Sequence, residues 1–274
     1  IAEGVLPLLL GHTTRLTENL EETAKSYQAV VELGVTTDTL DSEGSILERR
    51  DASAIHREDV ETHIPGFIGH ILQQPPMYSA LKHKGQPLYR LARQGIEVKR
   101  ENRLVQIHSL AITRWDPPRM TLEIVCGRGT YVRVLAADIG KAVGVGANLI
   151  GLRRTRVGPF RQQEASSMED LSAAFSEGRT EAILLPAETL FSGWPALHVA
   201  KESLPRLLTG ALLEPADGRW DRVPRGPFAE PPFLPPPPHD RGVSYTPEGV
   251  FAALIVRIGE KEEWRPRKVF LRSL

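Results

Sequence analysis

The stretch MTLEIVCGRGTYVRVLAADIGKAVG (120–144) carries the clearest structural instruction in the chain. Leu122, Ile124 and Cys126 alternate with Glu123 and Val125, which predicts a strand with at least one buried face. Gly127 and Gly129 break that strand, and Thr130 is the expected N-cap. Tyr131, Leu135, Ile139 and Ala142 then recur at helical spacing. The unit reads as a strand, a tight turn and a helix. Tyr131 and Arg133 fall in the first turn of that helix, at a sheet edge, where functional side chains are often displayed. The glycines lack the Gly-Lys-Ser/Thr ending of a phosphate loop and the three-glycine dinucleotide pattern. Two readings stand: a ligand-free turn, or a turn whose N–H groups hold a single phosphate.

Upstream, SYQAVVEL (26–33) alternates Tyr27, Ala29, Val31 and Leu33 on one side and predicts a second strand. The polar GVTTDTLDSEG that follows is a loop or hairpin connection. Its Asp38 and Asp41 are either a carboxylate pair for acid–base work or caps for backbone N–H groups; a calcium loop is excluded because its further acidic ligands are missing. A short helix is expected over 53–63, opening at Ser53 and stopping before Pro65. In QQPPMYSALKHKGQPLYRLARQG (73–95) the two prolines force an extended segment and Lys84-Gly85 makes a turn. Leu88, Leu91 and Ala92 follow at helical spacing, with Gly95 as the stop.

Downstream, SMEDLSAAF (167–175) and the residues up to Leu185 read as helical, and after Pro186 short strands and turns take over. Residues 224–238 hold 8 prolines in 15 positions and read as an extended polyproline-like loop. Strand pattern resumes at VFAALIVRIG (250–259). The chain of 274 residues thus divides into a large α/β part and a small, mostly β part of about 90 residues.

Charge sorts function classes. The net charge is zero, yet residues 1–70 carry 13 acidic and 5 basic side chains. Residues 82–103 carry 7 basic and 2 acidic, and residues 128–156 carry 6 basic and one acidic. Two basic segments make one phosphate-binding face if the fold joins them, and two solvated surfaces if it does not. The single cysteine, Cys126, excludes an internal disulfide and a multi-cysteine zinc site. The spacings of His12, His63, His70 and His83 match no metal motif. No apolar run approaches the roughly 20 residues of a membrane helix, and the chain is expected to be cytoplasmic.

Several segments, in order, resemble the TruB family of tRNA pseudouridine synthases. They are GVLPLLLG (4–11), KSYQAVVELGVTTDTLDSEG (25–44), GHILQQPPMYSALKHKGQPLYRLARQGIEVKR (69–100), CGRGTYVRVLAADIGKAVGVGANLIGLRRTRVGPF (126–160) and SMEDL (167–171). The resemblance implies an α/β (α+β) fold: a mixed, mostly antiparallel sheet with flanking helices, followed by a small C-terminal β domain of PUA type. The corresponding division is a catalytic domain over 1–185, its N-terminal part missing, and a PUA-like domain over 186–274 with an insertion at 224–238.

It also implies isomerisation of uridine-55 in the tRNA T loop, with base flipping, glycosidic cleavage and rejoining through C5 to C1′. Tyr27 matches the family tyrosine that stacks on the base and is implicated in removing the C5 proton. Arg133 matches the arginine that pairs with the catalytic aspartate, Tyr131 the tyrosine lining the pocket, and Leu152 the apolar residue against the base. Arg15 stands where the family commonly carries Lys. Lys82, Lys84, Arg90, Arg93, Arg100, Arg103, Arg153 and Arg154 are the expected RNA contacts. No cofactor, metal, membrane or protein partner is implied; the T arm of tRNA is the expected partner and a monomer the expected state. The family's nucleophilic aspartate lies in a G-T-L-D-P segment directly before the pattern seen at Ala2 to Pro7. The chain is therefore expected to be truncated ahead of it and inactive as written, with a noncatalytic tRNA-binding or tRNA-folding protein as the alternative.

Overall fold

The computed structural model describes residues 2–222, 239–259 and 262–271, so the proline-rich stretch at 224–238 lies outside the described residues. The chain forms two compact units. The first comprises Ile1–Val5 and Ala24–Arg156, and the second Leu6–Thr23 and Val157–Leu274. These limits differ from the expected 1–185 and 186–274 division because residues 6–23 and 157–185 group with the C-terminal strands.

In the first unit the strands are β1 (Ala2–Gly4), β2 (Lys25–Leu33), β3 (Val35–Thr37), β4 (Ile46–Arg49), β5 (Gly69–Gln73), β6 (Lys82–His83), β7 (Gln86–Pro87), β8 (Arg103–Asp116), β9 (Arg119–Cys126) and β10 (Ala147–Val157). The short helix α1 (Thr17–Glu22) belongs to the second unit; α2 (Arg57–His63), α3 (Leu88–Arg93) and α4 (Val132–Val143) belong to the first. The main sheet runs in the order β1-β10-β2-β9-β8-β5. β1 joins β10 in parallel, whereas β2–β9, β8–β9 and β5–β8 are antiparallel.

Alternation makes one sheet face. Ala29, Val31 and Leu33 of β2 and Leu122, Ile124 and Cys126 of β9 are all buried, as a half-buried strand requires. In β8 the buried positions are Val105 and Ile107, then Leu110 and Ile112. The step from Ile107 to Leu110 breaks period two, and a register shift between Ile107 and Ser109 restores the face. Against this face pack Val132, Leu135, Ala136 and Ile139 of α4 and Val60 of α2. Each of the Val, Leu and Ile side chains contributes about 1.5–3 kcal/mol on burial. α4 lies so close to the start of β10 that a Cβ on Gly140 would collide with the backbone of Gly146 and Ala147.

Two expectations need correction. The N-cap of α4 is Tyr131, not Thr130; the Thr130 hydroxyl instead donates back to the Gly127 carbonyl at 3.1 Å and braces the turn. The helix expected to open at Ser53 begins at Arg57, with His56 as N-cap and Asp59 accepting the His56 N–H at 2.8 Å. Ser53 instead donates its N–H to Asp51 at 2.8 Å in a preceding turn.

The second unit contains β11 (Phe160–Arg161), α5 (Met168–Ser176), β12 (Pro195–Val199), α6 (Leu204–Thr209), β13 (Gly218–Arg222), β14 (Arg241–Tyr245), β15 (Phe251–Ile258) and β16 (Glu263–Val269). Ser167 caps α5 and exchanges hydrogen bonds with Asp170. The helical reading up to Leu185 holds only to Ser176; beyond it lies a single 3-10 turn, Thr180–Ala182. Five strands form a sheet in the order β13-β12-β14-β15-β16. Its core includes Phe191, Trp194, Leu197, Leu207, Ile255 and Trp264.

Candidate active site

β1, β2, the loop 41–43, β10 and the head of α4 surround a cleft in the first unit. Its volume is about 320 Å³, within the range of small-molecule sites. Tyr27, Asp41, Tyr131, Arg133 and Leu152 line it, together with Ala2 of β1. Four of these, Tyr27, Tyr131, Arg133 and Leu152, were expected from sequence to share a site.

Arg133 is the centre of the polar network. Its Nη1 donates to Asp41 Oδ2 at 2.6 Å, and Nη2 donates to the Tyr78 carbonyl. The side chains are only 20% and 14% exposed, so the ion pair is largely withdrawn from solvent. Asp41 is fixed in turn. Its Oδ1 accepts the Thr39 hydroxyl at 2.6 Å and the Glu43 N–H at 3.2 Å. The loop that carries it is stitched to β10 by Ser42 N–H to the Leu149 carbonyl, 2.9 Å, and Leu149 N–H to the Leu40 carbonyl, 3.1 Å. Burial alone pushes the Asp41 carboxyl upward, but the hydrogen bond from Thr39 and the Arg133 guanidinium outweigh it and hold the group below its ordinary value.

Asp41 has the capping role that the sequence offered, and a second role that it did not. It caps a backbone N–H, as loop aspartates do, and it is also the carboxylate partner of Arg133. The sequence signal was limited to TTDTLDSEG; 92 positions separate the pair, and only the fold brings them together. Asp38 has the simpler role, accepting the Ser45 N–H at 2.8 Å.

Tyr27 stands opposite Ile124 in the β2–β9 register and packs against the main core. Burial raises its phenol above the ordinary value and the neighbouring Cys126 adds to this; Arg154, which hydrogen-bonds the hydroxyl, opposes both. The phenol is thus neutral near pH 7. Leu152 lies in β10 opposite Ala2 and packs on the same core. Tyr131 bridges the turn to α4 and is partly exposed.

The expected RNA-contact residues separate into two groups. Lys82, Lys84, Arg90, Arg93 and Arg103 are exposed. They follow the β6–β7 hairpin, α3 and the start of β8, and Arg93 stacks 5.7 Å from the Tyr89 ring centroid. The others hold protein groups. Arg100 donates to the Pro75 carbonyl at 3.1 Å and pairs with Glu97 at 3.2 Å. Arg153 donates to Glu3 at 2.8 Å. Arg154 donates to the Val5 carbonyl at 2.8 Å as well as to Tyr27. Arg15 is part of the second unit, where it donates to the Val269 carbonyl and lies 5.1 Å from the Phe270 ring centroid. It is not among the residues lining the cleft.

Among the described residues no cluster of three or more His, Cys, Asp or Glu side chains is arranged to hold a metal ion, and no helix is long and apolar enough to cross a membrane.

Comparison with known proteins identifies the family. Residues 1–132 match the TruB family pseudouridylate synthase (N terminal domain), and residues 133–192 match the tRNA pseudouridylate synthase B C-terminal domain. A tRNA pseudouridine synthase B of Dehalococcoides mccartyi is 40% identical over 272 residues, 99% of this chain and 84% of that protein. The chain belongs to the TruB family. A second member, tRNA pseudouridine synthase B of Pseudomonas aeruginosa, is 44% identical over 206 residues, 74% of this chain and 67% of that protein. By homology the TruB chain described here is a pseudouridine synthase, an isomerase; the matches give no support to the expectation that it is inactive. The fold is that of the crystal structure of a Cbf5-Nop10-Gar1 complex, with a TM-score of 0.70 over 98% of this chain and 73% of that one, at 22% identity. It is therefore the mixed α/β pseudouridine synthase fold with a C-terminal β domain.

Proposed function

We propose that this chain acts on tRNA, isomerising uridine-55 of the T loop to pseudouridine, and that its C-terminal unit is a PUA-like module. The observation that carries the reading is the Arg133–Asp41 pair at the head of α4, in a cleft shared with Tyr27, Tyr131 and Leu152. The names of the relatives supply the substrate class.

The target nucleotide has to leave its stack to reach such a cleft, so base flipping is required. Tyr27 offers an aromatic face on which uracil rests without committing a hydrogen bond, and Leu152 supplies apolar contact. The N1–C1′ bond breaks, the uracil turns within the cleft, and C5 bonds to C1′. The hydrogen on C5 leaves and N1 gains one, so atoms balance without a cofactor. A neutral Tyr27 phenol needs help to accept a proton at any stage, and Arg154 at its hydroxyl stabilises the anionic form.

Ala2 lines the cleft, and the family pattern sets the G-T-L-D-P segment with the nucleophilic aspartate directly ahead of the pattern seen at Ala2 to Pro7. Arg133 keeps its charge at any working pH and serves as the fixed cation for a carboxylate in the cleft. The exposed basic side chains of 82–103 supply sequence-independent phosphate contacts to the folded T arm.

The test is tritium release from a T-arm RNA labelled at uridine C5. It is run with the chain as given and with the chain preceded by the family's G-T-L-D-P segment. Stoichiometric release by the extended protein is expected. Release by neither protein on any tRNA sinks the proposal.

A further inference from the structure

We infer that Gln73 is a positioning residue for the isomerisation: its side-chain amide clamps the backbone of Tyr131 and fixes the head of α4, from which Arg133 projects. The inference rests on the pseudouridine synthase reading of the cleft.

Gln73 ends β5, opposite Arg103 of β8, and is 1% exposed. A buried primary amide needs partners for one acceptor oxygen and a two-donor nitrogen. Gln73 finds them on one residue 58 positions away. Its Oε1 accepts the Tyr131 N–H at 3.0 Å, and its Nε2 donates to the Tyr131 carbonyl at 3.4 Å. That same carbonyl accepts the N–H groups of Val134 and Leu135, both at 3.1 Å, and so begins the hydrogen-bond ladder of α4.

The turn entering α4 needs such a tie. Gly129 adopts φ +82°, and nothing lies within 4 Å of where a Cβ would stand, so side-chain packing does not restrain it. The start of the turn is held by Gly127 N–H to the Gln106 carbonyl, 2.8 Å, and by Thr130 to Gly127. The end has no side-chain cap of its own, since the N-cap residue is a tyrosine. Gln73 instead holds the backbone of the N-cap residue itself from another strand.

A second contact from the same segment makes the arrangement a two-point grip. Five residues beyond Gln73, the Tyr78 carbonyl receives the Arg133 guanidinium. Between the two points lie Pro75 and Pro76, both buried, whose rings fix φ. Arg100 holds the Pro75 carbonyl at 3.1 Å. One stiff strap therefore holds the backbone of Tyr131 at one end and the side chain of Arg133 at the other. A small displacement of reacting groups costs roughly 10²-fold in rate, which sets the scale for loosening one end.

The experiment uses the protein that releases tritium in the assay above, or the extended protein if neither does, with Gln73→Met, which keeps the volume and loses both hydrogen bonds, and Gln73→Glu. A protonated Glu has a donor and an acceptor, as the amide does; its anion can only accept. Three readouts are taken: kcat and KM on T-arm RNA across pH, the melting temperature, and NMR exchange of the Tyr131 amide proton. Gln73→Met is expected to lower kcat roughly ten- to hundredfold, with KM within about twofold, and to speed Tyr131 exchange at least about tenfold while core amides stay protected. The Gln73→Glu kcat, divided by the wild-type value at each pH, is expected to rise as pH falls, a trend that Gln73→Met lacks.

An unchanged kcat in Gln73→Met, a flat Gln73→Glu ratio, or Tyr131 exchange as slow in Gln73→Met as in wild type each overturns the clamp. If Gln73→Met folds poorly, the Gln73→Glu ratio decides alone. A wild-type protein that never isomerises uridine but whose Tyr131 amide is released in Gln73→Met overturns the enzyme reading and leaves the clamp standing.

Discussion

Arg133 and the arginines of residues 82–103 share a chemistry and differ in almost everything else. Arg133 is one-fifth exposed, held by a carboxylate and a backbone carbonyl, and sits at the end of a sheet where α4 begins. Arg90, Arg93 and Arg103, with Lys82 and Lys84, stand in solvent. The first arrangement holds one cation in place between two partners. The second keeps full hydration and long reach, which suits attraction to a polyanion whose phosphates need no exact geometry. Arg100 and Arg154 show that exposure decides the role: both fall in the basic segments by sequence, yet both are bound to backbone carbonyls.

The comparison can be broken most sharply at Arg133. Arg133→Met removes the cation and leaves Asp41 unpaired in a mostly buried site. Tritium-release kinetics should show a loss of at least roughly 10²-fold in kcat, and urea unfolding a destabilisation approaching about 3 kcal/mol. RNA affinity, measured by filter binding, should hardly move. If affinity falls in step with kcat, Arg133 belongs with the phosphate contacts and the distinction fails.

Next in size is the joint change of Lys82, Lys84, Arg90, Arg93 and Arg103 to Ala. Affinity for tRNA should drop by at least about two orders of magnitude at low salt, and the slope of log K against log salt should flatten by about 3 to 4. The kcat at saturating RNA should stay within about twofold, the expected signature of sequence-independent binding. A loss in kcat alone would place these side chains at the chemistry.

Asp41→Asn sharpens the comparison through pH. The folded Asp41 carboxyl is held below its ordinary value, so its stabilisation is fully present above the unfolded value, about 3.9, and is lost as pH falls through the folded one. Wild type should be more stable than Asp41→Asn near pH 7, and the gap should narrow below about pH 4. Thermal melts of both proteins from pH 3 to pH 7 measure it. A gap that stays constant with pH would mean that Arg133 does not hold the carboxylate. The smallest effect is that of Lys84→Ala alone, which should reduce the salt slope by less than about 1 and leave melting unchanged.

Much of this was legible in the chain because its strands obey simple periods. Ala29, Val31, Leu122 and Ile124 alternate and are buried as read, and the α4 stripe of Leu135 and Ile139 faces the same core. β8 was harder, since its buried positions slip by one residue at the Ile107–Ser109 shift and no fixed period survives a bulge. The Thr130 cap was misread because a hydroxyl beside Gly129 has a nearer acceptor, the Gly127 carbonyl. The proposed site was legible only in part. Tyr27, Tyr131, Arg133 and Leu152 were drawn together by family resemblance, and they do line one cleft. Asp41 and Gln73 were not, because their partners lie 92 and 58 positions away and local pattern carries no trace of such pairings.

The first unit is interrupted: after Val5 the chain joins the second unit and comes back only at Ala24. Its strand β1 pairs with β10, Ala2 beside Leu152, and both residues line the cleft. During synthesis the opening strand must therefore wait, unpaired, while some 150 residues emerge before its partner exists. Contacts of such long sequence separation form late and slowly. The cleft is thus sealed by one of the last pairings the first unit can make, so a ribosome stalled before Leu152 would hold most of that unit's sheet and none of the finished pocket.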